Sequence, residues 1–183
     1  LRQALTMARR DSLRELQARL AQWLQAVQHE AQHAGWLAVE CAGRGLLFPL
    51  SGAGEIFPMT PLMNVPHTLP WFAGVANLRG GLHGVVDLGA FLGLRPPRPV
   101  GDPGRDNAWL LALNPSLGSH CAVMVDRLAG LRGDDQLSAL PMAPDRARPG
   151  FAGITWRDAQ GRDWQEIDLA ALASHPQFLG ISA

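Results

Sequence analysis

His29-Glu30-Ala31-Gln32-His33 is the segment of this chain whose residue types and spacing match a catalytic metal site. Two histidines in that pattern share one face of a helix and can ligate zinc, with the glutamate between them as the general base of a metalloprotease. Glu55 lies at a permissible distance downstream for a third ligand. Three features weigh against this chemistry. Gly35 stops the helix two residues beyond His33, the neighbours are glutamine and charged residues, and Trp36 stands where an extended zinc motif carries glycine. The favoured reading is of incidental histidines on a solvated helix end, with a zinc metalloprotease kept as the alternative function.

Other candidate chemistry is thinner. Glu55 and Asp87 are the only carboxylates that suggest a pair for acid–base work, and no nucleophile or partner base accompanies them. Asp87 reads better as the N-cap of a short helix beginning at Leu88, and Asp168-Leu169 repeats the device. No glycine-rich segment opens a helix as a phosphate loop does, and no Ser-His-Asp arrangement stands out. Cys41 and Cys121 fall in expected strands without metal-type spacing, as buried reduced thiols of a cytoplasmic protein would. The expectation is a protein without catalytic residues, cofactor or metal.

The elements that must position anything else are mostly short strands. Residues 11–33 form the one long helix by pattern, with Leu13, Leu16, Leu20, Trp23, Leu24 and Val27 on one stripe. Ser12 with Glu15 makes a capping box, and Gly35 supplies the stop. From Trp36 the period becomes that of strands: 36–42 and 46–50 flank a hairpin at Gly43-Arg44-Gly45, and Glu55–Met59 is a further short strand. Residues 61–70, with three prolines, read as an extended connection. Strands follow at 72–78 and 82–87, joined by Arg79-Gly80-Gly81, then a short helix at 88–94. Residues 95–107 read as an internal linker with little to bury, 108–113 and 120–126 as strands, and 128–137 as a turn or short helix.

A phrase recurs. Residues 72–92 read FAGVANLRGGLHGVVDLGAFL and residues 151–173 read FAGITWRDAQGRDWQEIDLAALA. Each opens on Phe-Ala-Gly, turns on glycine and closes on Asp-Leu before an apolar helix; Phe72 to Asp87 is 15 positions and Phe151 to Asp168 is 17. A repeated strand–turn–strand–helix unit implies two similar small sheets facing each other, a shape for holding partners. The organisation expected is a helical extension over 1–35 and one domain over 36–183 made of two repeated subdomains.

Composition narrows the class further. A hydrophobic content of 47% with only 17% charged residues excludes disorder for most of the chain. Zero formal net charge gives no long-range attraction to nucleic acid or an anionic membrane. Apolar runs are too short to span a bilayer, and no secretory signal is visible. All 16 basic residues are arginine, read mainly as genomic codon bias, with forked contacts that lysine cannot make as the minor alternative.

The run Pro70-Trp71-Phe72-Ala73-Gly74-Val75-Ala76-Asn77-Leu78-Arg79-Gly80, followed by Val85-Val86-Asp87-Leu88, resembles the signature of CheW-like chemotaxis coupling proteins. Glu55-Ile56 is similar to that family's Glu-Ile pair, and Val123 through Asp126 to its Val-Asp strand end. The resemblance spans residues 36–174 and departs at His83-Gly84, where the family often has proline, and at Thr155-Trp156-Arg157-Asp158, which lacks an Asn-Leu-Arg-Gly equivalent. It implies a mainly β fold of two five-stranded SH3-like barrels packed on a shared apolar interface, with an added N-terminal helix. It implies an adaptor that binds the regulatory domain of a CheA-type histidine kinase and the cytoplasmic tip of a methyl-accepting receptor, without catalysis, nucleic-acid binding or membrane insertion. Gly-Val-Ala-Asn-Leu-Arg-Gly with an N-terminal helix is most similar to the PilI branch, which serves type IV pilus twitching motility.

Partner-binding candidates are Glu55, Trp71, Gly74, Asn77 and Arg79. Arg79 at a strand–strand tip reads either as a solvated or loop-tying turn arginine or as a guanidinium forking onto a carboxylate or carbonyl; the resemblance favours a role on the partner-facing surface. Trp71, at a loop–strand junction, is a candidate interface anchor. Gly74 and Gly80 answer backbone needs, a close approach and a positive φ, though a bulkier residue at Gly74 is expected to disturb binding as well.

Overall fold

The computed structural model describes residues 34–141 and 148–183. The helix expected over 11–33, with the His29–His33 segment, lies outside the described residues. Among the described residues eleven strands run in order: β1 Ala34–Cys41, β2 Arg44–Pro49, β3 Ala53–Pro58, β4 Phe72–Leu78, β5 Gly81–Asp87, β6 Trp109–Leu113, β7 Cys121–Val125, β8 Arg127–Gly133, β9 Leu137–Ala139, β10 Ala152–Asp158 and β11 Asp163–Ile167. Short helices cover Leu88–Phe91, Pro103–Asp106, Leu169–Ala173 and Pro176–Leu179.

The strands form two sheets, in the orders β8-β1-β2-β11-β10-β9 and β3-β6-β7-β5-β4. Each curls closed. In the first, β8 and β9 are consecutive in the chain, separated by a single 3-10 turn at Asp134–Gln136, so one run supplies both edges and the sheet is five-stranded in effect. In the second, the chain leaving β3 crosses to the far edge, where Met63 and Val75 exchange backbone hydrogen bonds of 2.8 and 2.9 Å. Closure satisfies edges that would otherwise be open to pairing with another chain.

Alternation along the strands explains why the middle of the chain reads as continuous apolar runs. On β6, Leu110 and Ala112 point into their own barrel with Val85, Ala122 and Met124. Leu111 and Leu113 point the other way, into a seam shared with Val39, Leu46, Phe48 and Ile167 of the first barrel. Strands buried on both faces need apolar residues at every position, which is the pattern of WLLAL and CAVMV. The first barrel encloses a smaller cluster of Ala38, Leu47, Leu137 and Trp164.

The repeated phrase becomes the β4–β5 and β10–β11 hairpins, each followed by its helix. Asp87 Oδ1 accepts from Ala90 N at 3.3 Å, and Asp168 Oδ1 accepts from Ala170 N and Ala171 N at 2.9 and 3.0 Å. The β4–β5 hairpin turns on two residues, Arg79 (φ 50°) and Gly80 (φ 83°), both left-handed as a two-residue hairpin turn requires. The β1–β2 turn uses Ala42 (φ 50°) and Gly43 (φ 75°) in the same way.

Two segments differ from their sequence-based expectation. Residues 127–133 are strand β8 and not a turn or short helix; arginines and glycines mask its pairing along β1, and Gly130 (φ 92°) sits near a register shift at Ala38–Val39. Residues 95–107 join β5 to β6 within one sheet, and they carry the half-buried Arg95 and Arg98. Arg95 is bidentate on the buried Asp87 at 2.8 Å for both nitrogens and reaches Asp126 Oδ1 at 3.3 Å. Arg98 Nη1 donates to Asp126 Oδ1 at 2.6 Å, while Asp126 Oδ2 accepts from Ala42 N at 2.7 Å. Asp126 links β7 to β8 and so ties one barrel to the other.

Candidate functional site

Of the five candidate residues, the fold brings three together at the tip of the β4–β5 hairpin. Glu55 projects from β3, at one edge of the second sheet, and Arg79 from the turn that ends β4, at the other edge. Their side chains meet at 2.6 Å, Arg79 Nη2 to Glu55 Oε1, with side-chain exposures of 76% and 42%. An ion pair this open contributes about 0–1 kcal/mol to stability. Its consequence is positional: it fixes a guanidinium over the gap between two strand edges. Asn77 precedes the turn on β4 and its Oδ1 accepts from Gly80 N at 2.8 Å, which locks the hairpin beneath Arg79.

Gly74 and Trp71 are placed differently. Gly74 is buried with φ 129°, and a Cβ there would lie 2.5 Å from the Met63 carbonyl oxygen. Its absent side chain is what allows the Met63–Val75 closure. Trp71 is half-buried: its ring meets Phe91 edge-on at 5.1 Å, and its carbonyl accepts from Asp87 N at 2.8 Å. Phe91 in turn meets Phe151 and Phe178 at 6.0 and 5.5 Å, so Trp71 anchors the loop onto the seam between barrels.

The outer face of this hairpin carries residues that reading along the sequence passed over. Leu82 is 59% exposed and lies directly opposite Asn77; Met63, 57% exposed, lies opposite Val75. The signal for Leu82 was present in the register: a polar Asn77 across from an apolar residue marks an outward face, so an apolar residue there is left in water. Together Met63, Val75 and Leu82 make a small apolar strip rimmed by Asn77, Arg79 and Glu55. This composition, an apolar centre with a polar and forked-cation rim, suits protein contact.

The two carboxylates considered for acid–base work, Asp87 and Glu55, are both engaged by arginine. Both oxygens of Asp87 are taken by Arg95, with Ala90 N at 3.3 Å and Arg98 N at 3.4 Å, leaving nothing to accept a substrate proton. Glu55 is committed to Arg79. Burial, with the charge of Asp126 beside it, pushes the Cys41 thiol up to about 12, so it is no nucleophile. Among the described residues no three His, Cys, Asp or Glu side chains are grouped to hold a metal ion, and no helix is long and apolar enough to cross a membrane.

Comparison with known proteins agrees with this geometry. Protein PilI of Pseudomonas aeruginosa is 28% identical over 167 residues, covering 90% of this chain and 89% of that protein. A probable chemotaxis protein CheW of Rhizobium etli is 41% identical over 46 residues, 25% of this chain and 30% of its own length. The crystal structure of scaffolding protein TtCheW from Thermoanaerobacter tengcongensis matches with a TM-score of 0.58 at 15% identity, covering 73% of this chain and 88% of that one; the two share a fold. The model of the CheW-like domain matches residues 35–177, and with two curled sheets joined on one apolar seam the chain belongs to that family.

Proposed function

We propose that this chain is a non-enzymatic adaptor that couples a CheA-type histidine kinase to methyl-accepting receptors in a cytoplasmic chemosensory array controlling type IV pilus twitching motility. The observation that carries the reading is the hairpin tip, where the Glu55–Arg79 ion pair stands beside exposed Leu82 and Met63. Long apolar side chains left in water, next to a guanidinium whose pairing adds little to stability, are what an interface uses and a fold does not need. The similarity to Protein PilI favours the pilus pathway over a swimming one. Glu55, Asn77 and Arg79 present the contact surface; Gly74 and Trp71 serve it by holding the β4 hairpin against its own barrel and the seam.

The test is capture of the purified kinase regulatory domain and of a receptor cytoplasmic fragment by wild-type and Arg79→Ala protein, measured by interferometry. The expected result is at least tenfold weaker binding to one of the two, with a thermal midpoint within about 4 °C of wild type, since an exposed pair is worth at most about 1 kcal/mol. Unchanged binding to both partners, or a melt lowered by 5 °C or more, would remove Arg79 from the contact surface.

A further inference from the structure

We propose that the cavity between residues 62–73 and residues 97–105 binds a small organic carboxylate, with Arg105 as its anchor. The cavity has a volume of about 440 Å³. That volume lies in the range of small-molecule sites, about 300–1,000 Å³. Its wall is preformed. Pro66, Pro70, Pro97 and Pro99 line it with fixed φ angles, and the C-terminal residues strap one side, with Leu69 N donating to Ile181 O at 2.8 Å and Ala183 N to His67 O at 3.0 Å.

Charge selects the ligand. Three charged side chains line the cavity: Asp87, Arg98 and Arg105. The first two are neutralised on the spot, Asp87 by the fork of Arg95 and Arg98 by Asp126 at 2.6 Å. Arg105 is not. Its guanidinium donates only to carbonyl oxygens, Arg98 O at 3.1 Å and Ala73 O at 3.3 Å, and among the described residues no carboxylate comes within ion-pair distance. Asp102, three residues before it, spends its Oδ1 on the backbone N–H groups of Gly104 and Arg105 and on Arg98. Two of the five N–H groups of a guanidinium are thus used, by neutral acceptors, and three remain. A planar fork with spare donors recognises a carboxylate bidentately. The rest of the lining mixes apolar Leu62, Leu69 and Phe72 with polar Asn64, His67 and Thr68, and Val100, 86% exposed, also lines it. The matching ligand is a small organic acid whose carboxylate meets Arg105 and whose body lies against Leu62, Leu69 and Phe72. Its binding does not depend on the adaptor reading, although Arg105 holds the Ala73 carbonyl next to Gly74, which places the site in contact with β4.

The experiment is a titration of the full-length ¹⁵N-labelled protein with hexanoate and benzoate, against hexanamide and benzamide at matched ionic strength, followed by amide chemical shifts. The expected result is saturable movement of the Ala73, His67 and Val100 amides by at least one acid, with the matching amide at least tenfold weaker. Arg105→Gln should weaken the acid at least tenfold and Arg105→Lys should recover part of the loss. Because Arg105 also ties down two carbonyls, Val100→Trp provides a second variant that obstructs the cavity from an exposed position and should abolish binding with the fold intact. Acid and amide binding alike, no saturable shift with either acid, or wild-type binding in Val100→Trp would each overturn the proposal.

Discussion

Replacing Gly74 by alanine tests whether the second barrel is closed by the Met63–Val75 contact. The new Cβ would stand 2.5 Å from the Met63 carbonyl oxygen and 3.2 Å from its carbonyl carbon, on a backbone at φ 129°. Neither partner is the far end of a flexible side chain, so the strand must shift. The backbone conformation alone costs about 1–3 kcal/mol for a residue with a side chain. Losing the two hydrogen bonds between Met63 and Val75 adds about 0.5–1.5 kcal/mol each. The expected destabilisation is therefore about 2–6 kcal/mol, read as the change in urea unfolding free energy at unchanged m-value. Gly80→Ala is the control. Gly80 has φ 83° with nothing within 4 Å of the added Cβ, so it bears only the left-handed backbone cost of about 1–2 kcal/mol. A Gly74→Ala protein within 0.5 kcal/mol of wild type, or less affected than Gly80→Ala, would show that this carbonyl contact does not hold the barrel shut.

The remaining predictions concern the seam and the first barrel. Asp126→Ala should cost about 3 kcal/mol by calorimetry, because it leaves Arg98 and part of Arg95 without their carboxylate and Ala42 N without its acceptor; a change below 1 kcal/mol would contradict a structural role for the network. Native thiol labelling at pH 8 should modify Cys121 and spare Cys41, whose thiol is pushed up to about 12 by burial, until denaturant exposes it; mass spectrometry of the labelled peptides reads the order, and early labelling of Cys41 would refute it. The hydrogen bonds from Arg127 and Arg162 hold the Glu40 carboxyl below its ordinary range. Its contribution is therefore present above the unfolded value of about 4.3 and is lost as pH falls through the lower folded value. Glu40→Gln should be less stable than wild type at pH 7, and the gap should narrow below about pH 4; a gap independent of pH would remove Glu40 from the acid response.

Local patterns in the sequence were legible where a single segment determines its own geometry. The paired Phe-Ala-Gly phrases mark two hairpins, and Asp87 and Asp168 mark the helix starts, because a turn's φ angles and a cap's hydrogen bond involve neighbours in the chain. What escaped depends on distant partners. Strand β8 reads as a turn because its glycines and arginines give no alternation, and only its pairing along β1 makes it a strand. Arg95 and Arg98 look like linker charges beside prolines until Asp126 arrives from the far end of β7. At the candidate site, Arg79 was visible as a hairpin tip and Glu55 as a separate match, but their contact joins opposite edges of a sheet and follows from curvature that no local pattern encodes. Trp71 was legible as a candidate anchor at a loop–strand junction, but its edge-on contact with Phe91 depends on a helix 20 residues further along.

The seam also bears on how the proposed adaptor would hold two partners in a fixed relation. Strands β1, β2, β5, β6 and β7 each present one face to their own barrel and the other to the shared core. Separating the barrels would expose Phe48, Leu111, Val123 and Ile167 among others, at about 1.5–3 kcal/mol for each large side chain. It would also break the contacts of Asp126 to Ala42 on one side and to Arg98 on the other. A cost of that size exceeds what a partner's differential affinity can supply, typically about 1–3 kcal/mol in coupled systems, so the two barrels move as one body. On the proposed adaptor reading, a partner seated at the Glu55–Arg79 tip would be held at a set distance and angle from anything seated on the first barrel. Rigid placement of two partners is what that reading requires, and it would come from apolar residues at every strand position, the same feature that makes the middle of the chain so uniform to read.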